Sequence, residues 1–347
     1  MKTLCIHVGS WKTGTSAIQR MLALNREALR RCDLDYLAFP FERDATSELT
    51  TGNGEFLARM SCPEDHRAYL GDHDEYLQDL RDAVDASPCT RLVLSSELFF
   101  EQSVPGNLRA MLDDTFGDAL QCRIVCYLRS QDEMVERRYV ESVKLGQEAR
   151  SFYEIKARYI ESAANNYHDI LQRWVQAFGL EHVLVRPYEK AQFKDGNIIA
   201  DFLDTLGVEM SPSFEMPGSV NPSVDNRGVE VLRILKKLRL SPSEHHQMMR
   251  QISDYLGAKE DNREPVYLTF TERQDILARY REQNERVARE LMGREDGRLF
   301  VAQPRERSME TAELDIEYLT ELVLYLFVRS YRNLNYRLDR LGPGSKG

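Results

Sequence analysis

The sequence predicts an α/β fold: a three-layer sandwich around a central, mostly parallel sheet, followed by a helical C-terminal region. Three observations carry this expectation. Short, continuous apolar runs alternate with amphipathic helical stretches over roughly the first 210 residues. Such runs fit strands covered on both faces, as in a parallel sheet packed between helices. The first run passes directly into a Gly/Thr-rich turn and then a helix. Beyond about residue 209 the chain changes to a loop rich in Pro and Gly, then to long charged helices.

Taken in order, the strands are expected at 3–8, 91–96, 122–128 and 182–186. Helices are expected at about 14–31, 74–86, 106–116, 131–145 and 163–178. The last of these carries Tyr167, Ile170, Leu171, Trp174, Val175 and Phe178 at helical spacing. Residues 32–73 are irregular, with Pro40, Gly52, Gly54 and Pro63, and read as an excursion from a core spanning 1–210. Residues 211–341 read as a loop plus mainly helical segments (229–240, 243–257, 271–292, 312–339) of the same domain, and 342–347 as a disordered tail.

Composition narrows the function. With 42% hydrophobic and 29% charged residues in 347, the chain has the make-up of a globular protein. Its net charge of −10 argues against non-specific nucleic-acid binding, but not against an anionic ligand held by local positive charge. None of the six cysteines forms a C-x-x-C pair. Cys122 and Cys126 would share a strand face about 13 Å apart, too far to bridge. Free buried thiols fit a reducing compartment. Met1 leads straight into a strand, and no charged-then-apolar leader or membrane-length apolar run is present. A cytoplasmic protein is expected. In the last helix Leu319, Leu322, Val323, Leu326 and Phe327 form an apolar stripe followed by Arg329, Arg332, Arg337 and Arg340. That stripe reads as a face packed on the domain or on a second subunit in a homo-oligomer, in preference to a membrane surface.

The turn after the first strand is the most informative segment. It reads Gly9-Ser-Trp-Lys12-Thr13-Gly14-Thr15-Ser16. Two glycines let backbone N–H groups turn inward, the helix start adds unpaired N–H groups and the positive end of its dipole, and Lys12 adds a full charge. Such a loop binds phosphate or a phosphate-like group. A Walker A loop places its lysine after the second glycine; here Lys12 precedes Gly14, so an ordinary ATP or GTP site is not expected. A later strand delivers Arg129 to its carboxyl end, where α/β folds bind ligands. Ser130-x-x-Glu133 then has the form of a capping box for the following helix.

The loop I-H-V-G-x-x-K-T-G-T-S-x-I-Q resembles that of the sulfotransferase family, in its bacterial branch. The resemblance extends to the strand ending at Arg129, to Ser95-Ser-Glu97-Leu-Phe-Phe100, to Val185-Arg-Pro-Tyr-Glu189 with the helix after it, and to Asn221-Pro-Ser223. It implies a P-loop NTPase-like core and 3′-phosphoadenosine-5′-phosphosulfate (PAPS) as co-substrate, with no metal. Gly9, Lys12, Thr13, Gly14, Thr15 and Ser16 are then expected to grip the 5′-phosphosulfate, and Arg129 the 3′-phosphate. The family's helix serine, eight residues after that arginine, is Arg137 here; an arginine offers a forked, charge-assisted contact in its place or points to solvent. Lys12 is the expected leaving-group stabiliser. Glu97, at a strand end, is the favoured base, with a helix-start carboxylate as its structural alternative. His7 competes as a catalytic group or is a core histidine, and Glu55 is a third candidate. The acceptor implied is a hydroxyl or amine, on a glycan or another metabolite. A nucleotide-dependent kinase of related architecture and a sulfotransferase-like binding module are the alternatives.

Overall fold

The computed structural model describes residues 1–39, 52–62, 73–218, 225–238, 240–257, 265–306 and 316–340. The expected tail 342–347, the Asn221-Pro-Ser223 segment, and Pro40 and Pro63 of the expected excursion lie outside the described residues.

Five strands form one sheet in the order β2-β3-β1-β4-β5. They are β1 (Lys2–Gly9), β2 (Leu34–Tyr36), β3 (Arg91–Ser96), β4 (Leu120–Leu128) and β5 (Val183–Pro187), and every pairing is parallel. Four strands lie where the apolar runs place them. β2 is an addition: the segment expected to be irregular begins with a three-residue strand. It escapes a periodicity reading because it is short and carries Asp35, whose carboxylate is neutralised by Arg30 at 3.0 Å and bonded by Ser87 Oγ at 2.7 Å.

Alternation along the strands builds two cores. Leu4, Ile6, Val8, Leu92, Leu94, Ile124 and Cys126 face one side, against Leu108, Leu171 and Trp174. Cys5, Val93, Val125 and Tyr127 face the other, against Ile18, Met21, Phe202 and Leu203. The first side is covered by helices Val104–Phe116 and Tyr167–Phe178, the second by Thr15–Leu24 and Ile198–Thr205. Helix, sheet and helix therefore make the three layers. The expected single helix over 14–31 is two, α1 (Thr15–Leu24) and α2 (Arg26–Arg30), parted at Asn25, whose amide bonds Met21 C=O at 2.8 Å. All six thiols are free, and Cys32 is exposed where a buried one was expected.

The chain divides into two compact units. One comprises Met1–Arg137, Ala157–Val220 and Thr271–Arg305; the other comprises Arg138–Lys156, Asn221–Phe270 and Glu306–Gly347. Each draws on segments from both sides of residue 210. The first holds the sheet. The second holds an aromatic cluster of Tyr139, Phe152 and Tyr267 and the helices α3 (Pro242–Gly257) and α4 (Ile316–Arg340). Among the described residues no helix is long and apolar enough to cross a membrane.

The helix following β4, α5 (Gln131–Lys144), begins in the first unit and is fixed at that start by buried polar contacts with residues of helix α6 (Phe270–Arg286). Arg273 is almost fully buried between Asp132 (3.1 Å) and Glu136 (2.5 Å). Gln131 and Asn284 exchange reciprocal amide bonds of 2.8 and 2.9 Å. Removing the cation alone strands two buried carboxylates. Arg273→Ala is therefore expected to lower unfolding stability by about 3–5 kcal/mol, read from denaturant melts.

Candidate functional site

Strand register gathers the expected site residues at one edge of the sheet. Val8 aligns with Ser96 on β3 and with Cys126 on β4. The next residues along are Gly9, Glu97 and Tyr127, with Arg129 two positions beyond. All emerge at the carboxyl edge, beside the central strand where the chain passes from one side of the sheet to the other.

The loop between β1 and α1 is bent by two left-handed residues, Lys12 (φ 62°) and Gly14 (φ 77°). Gly14 is required twice over: by its positive φ, and because a Cβ there would lie 3.1 Å from Tyr188 Cε2. At Gly9 a Cβ would lie 2.2 Å from Thr15 Oγ1. Thr13 Oγ1 closes the turn by donating to Ser10 C=O at 2.6 Å. The first intrahelical bonds run from Ala17 and Ile18 N–H to Gly14 C=O, so the Thr15 and Ser16 N–H groups precede them. Ser10 Oγ and Thr15 Oγ1 are buried with no hydrogen-bond partner among the described residues. Buried hydroxyls without partners are costly. Together with the helix start they fit a loop whose polar groups are completed by an anion.

Arg129 is only 8% exposed and acts on this loop directly. Its Nε and Nη2 both donate to Lys12 C=O, at 2.9 and 2.6 Å. Nη1 donates to Glu133 Oε2 at 2.6 Å, and Arg305 holds the other oxygen of Glu133 at 3.2 Å. The guanidinium lies 4.3 Å from the Tyr188 ring centroid. Arg129, a phosphate ligand by the resemblance, donates here to the backbone of the Lys12 loop. Arg137, half-buried, lies two helical turns further along the same helix. Glu133, expected as part of a capping box, is an ion-pair partner.

Glu97 is half-buried and opens a short 3₁₀ turn, Glu97–Phe100. Ser96 caps that turn, its Oγ accepting from Leu98 N–H at 3.2 Å. Phe99 and Phe100 pack inward. Glu55 begins helix Glu55–Met60 and pairs with Arg59 at 2.7 Å.

His7 is fully buried. Its Nδ1 lies 2.8 Å from Ser95 Oγ, which also accepts from Gln19 Nε2 at 3.0 Å. The ring tautomer sets which of the two donates in the His7–Ser95 bond. Burial pushes the His7 pKa down to about 3. The ring turns no nitrogen to solvent, and its Nε2 is buried with no hydrogen-bond partner among the described residues.

Several residues that shape the site gave no signal as such in the sequence. Asn53 bonds Leu37 C=O (2.8 Å), Val93 C=O (3.0 Å) and Ser95 N–H (2.9 Å), lacing the excursion to the end of β3. Gly52, at φ 82°, passes so close that a Cβ would meet Ser95 C=O at 2.0 Å. The Gly-Asn-Gly spacing was the available clue. Among the described residues no group of three or more His, Cys, Asp or Glu side chains could hold a metal ion.

No family model matches the chain. An uncharacterized protein of Archaeoglobus fulgidus is 32% identical over 203 residues, covering 58% of this chain. The match takes in 54% of that protein, so the chain spans about half the length of its relative. Among solved structures, a sulfotransferase from Alicyclobacillus acidocaldarius is 17% identical with a TM-score of 0.42, over 71% of this chain and 99% of that one. A sulfotransferase domain from the curacin biosynthetic pathway is 16% identical with a TM-score of 0.38, over 80% and 97%.

The buried His7 makes a pH prediction. Its folded pKa of about 3 lies below the ordinary histidine value, about 6.5, so the unfolded chain takes up the proton first. The stability it protects is fully present above about pH 6.5 and is lost as pH falls toward the folded pKa. His7→Asn keeps an acceptor for Ser95 and removes this titration. Denaturant melts between these pH limits should show a shallower acid slope for the variant, by up to about 1.4 kcal/mol per pH unit.

Proposed function

We propose that the chain is a sulfotransferase that moves a sulfonate group from PAPS to a hydroxyl or amine acceptor, a carbohydrate or another metabolite. The observation that carries this reading is the Lys12 loop. It is a Gly-bent turn at the carboxyl edge of a parallel sheet, with its lysine before the second glycine, buried hydroxyls without partners, and a helix start behind it. That loop fits a phosphosulfate, and its residue order is the one that resembles the sulfotransferase family.

PAPS supplies an activated sulfonate, and the residues of this chain do the rest. The loop N–H groups with Thr13, Thr15 and Ser16 hold the anionic end. Lys12 stabilises the charge that builds on the phosphate oxygen as the sulfur–oxygen bond to it breaks. Glu97 accepts the proton of the acceptor as the acceptor's oxygen or nitrogen bonds to sulfur. Arg129 keeps the loop in shape through Lys12 C=O, and Arg137 is the candidate for the second phosphate. In-line transfer of this kind depends on positioning and charge, as phosphoryl transfer does. The arginine at the helix-serine position favours one other reading, a catalytically inactive sulfotransferase-like binding module.

Thermal-shift titration tests the binding half. 3′-Phosphoadenosine 5′-phosphate should raise the melting temperature without Mg²⁺, and more than ATP does; no response overturns the reading. Transfer from labelled PAPS to a panel of acceptors tests the chemistry, and binding without transfer selects the inactive module. In an active preparation Lys12→Ala and Glu97→Gln should each lower kcat by on the order of 10²-fold or more, with the nucleotide shift kept in Glu97→Gln. Arg129→Lys retains charge but loses the fork. It should weaken nucleotide binding at least about tenfold, with an unchanged far-ultraviolet circular dichroism spectrum as the check that the fold is kept.

A further inference from the structure

Helix α4 of the second unit carries an apolar face that its own unit does not cover. Tyr318 and Leu322 are buried, and Tyr318 and Tyr325 meet Tyr255 of α3. Ile316, Leu319, Val323, Phe327, Tyr331 and Leu334 are exposed, Phe327 at 68% and Ile316 at 85%. At about 100° per residue these six fall within an arc of roughly 120° over a length of about 27 Å, bordered on one side by the exposed Leu324 and Val328. The area they expose is of the order of the roughly 800 Å² that each partner contributes to a standard interface. It exceeds the scattered apolar exposure usual on a monomer.

We propose that this face pairs with the same face of a second copy of the chain, the two helices antiparallel about a twofold axis level with Tyr325. The order of residues points to that occupant. Ile316 and Leu334 are equidistant from residue 325, as are Leu319 and Tyr331, and Val323 and Phe327. An antiparallel copy therefore sets apolar side chains against apolar side chains along the whole stripe, the self-complementarity a twofold contact needs. Charge order agrees. Glu317 lies toward one end and Arg332 toward the other, so antiparallel copies bring ends of opposite sign alongside, while Glu321 and Arg329 are engaged by Tyr255 and Asp254 of α3. Parallel copies would set like ends together. The net charge of −10 disfavours the other apolar partner, an anionic membrane surface.

Light scattering coupled to size exclusion tests the pairing on the full chain at micromolar concentration. A mass of two chains is expected. Phe327→Glu should raise the dissociation constant at least about tenfold with an unchanged far-ultraviolet circular dichroism spectrum. Leu180→Glu, at an exposed apolar residue of the other unit, should leave the mass at two chains. Direction is read by oxidation. A chain carrying Ile316→Cys should crosslink to one carrying Leu334→Cys, and neither to itself through that position. A wild-type monomer, a dimer indifferent to Phe327→Glu, a self-crosslinked Ile316→Cys pair, or a monomer that sediments with anionic vesicles would each overturn the proposal.

Discussion

The grip of Arg129 on the Lys12 carbonyl is the contact on which the candidate site depends. Lys12 sits at positive φ, a conformation that costs a residue with a Cβ of order 1 kcal/mol or more. Two N–H groups of one rigid guanidinium converge on its carbonyl and hold the peptide in place. The bond joins the loop after β1 to the end of β4, and those strands are neighbours in register. Glu133 and the Tyr188 ring then hold the guanidinium itself, and Arg305 holds the other oxygen of Glu133. The loop's shape therefore follows from sheet register and a chain of charge pairs, as much as from its own glycines.

A different kind of polar contact orders the opposite side of the loop. Ser95 stands at the centre, bonded through its side chain to His7 and Gln19 and through its backbone to Asn53 and Gly54. This network joins β1, α1 and the Gly52–Gly54 turn to the end of β3. It is buried, and buried polar groups specify position because an unmade bond there is expensive. Glu97 follows two residues after Ser95, so its place at the sheet edge rests on that lacing. Charge at Arg129 and neutral hydrogen bonding at Ser95 bracket the Lys12 loop from its two neighbouring strands.

The fold was largely legible in the sequence. Four of the five strands announced themselves as continuous apolar runs, because a strand covered on both faces has no polar side to show. β2 did not: three residues with Asp35 among them carry no period, and only the pairing with Arg30 and Ser87 makes the carboxylate tolerable inside. The single helix expected over 14–31 broke at Asn25, whose side chain competes for the backbone.

For the site, the sequence by itself determined the loop: two glycines, the lysine between them, and the strand and helix on either side are local features set by neighbouring residues. It also determined that Arg129 and Glu97 lie at strand ends. Only the tertiary structure decided what those residues touch. Whether His7 faced core or solvent turned on which helices cover β1. Arg129 found its acceptor in a carbonyl more than a hundred positions away in the chain, and Arg305 joined from still further along. Local sequence encodes conformation through sterics and periodicity. Hydrogen-bond partners are chosen by proximity after folding, and that proximity is a property of strand register and helix packing.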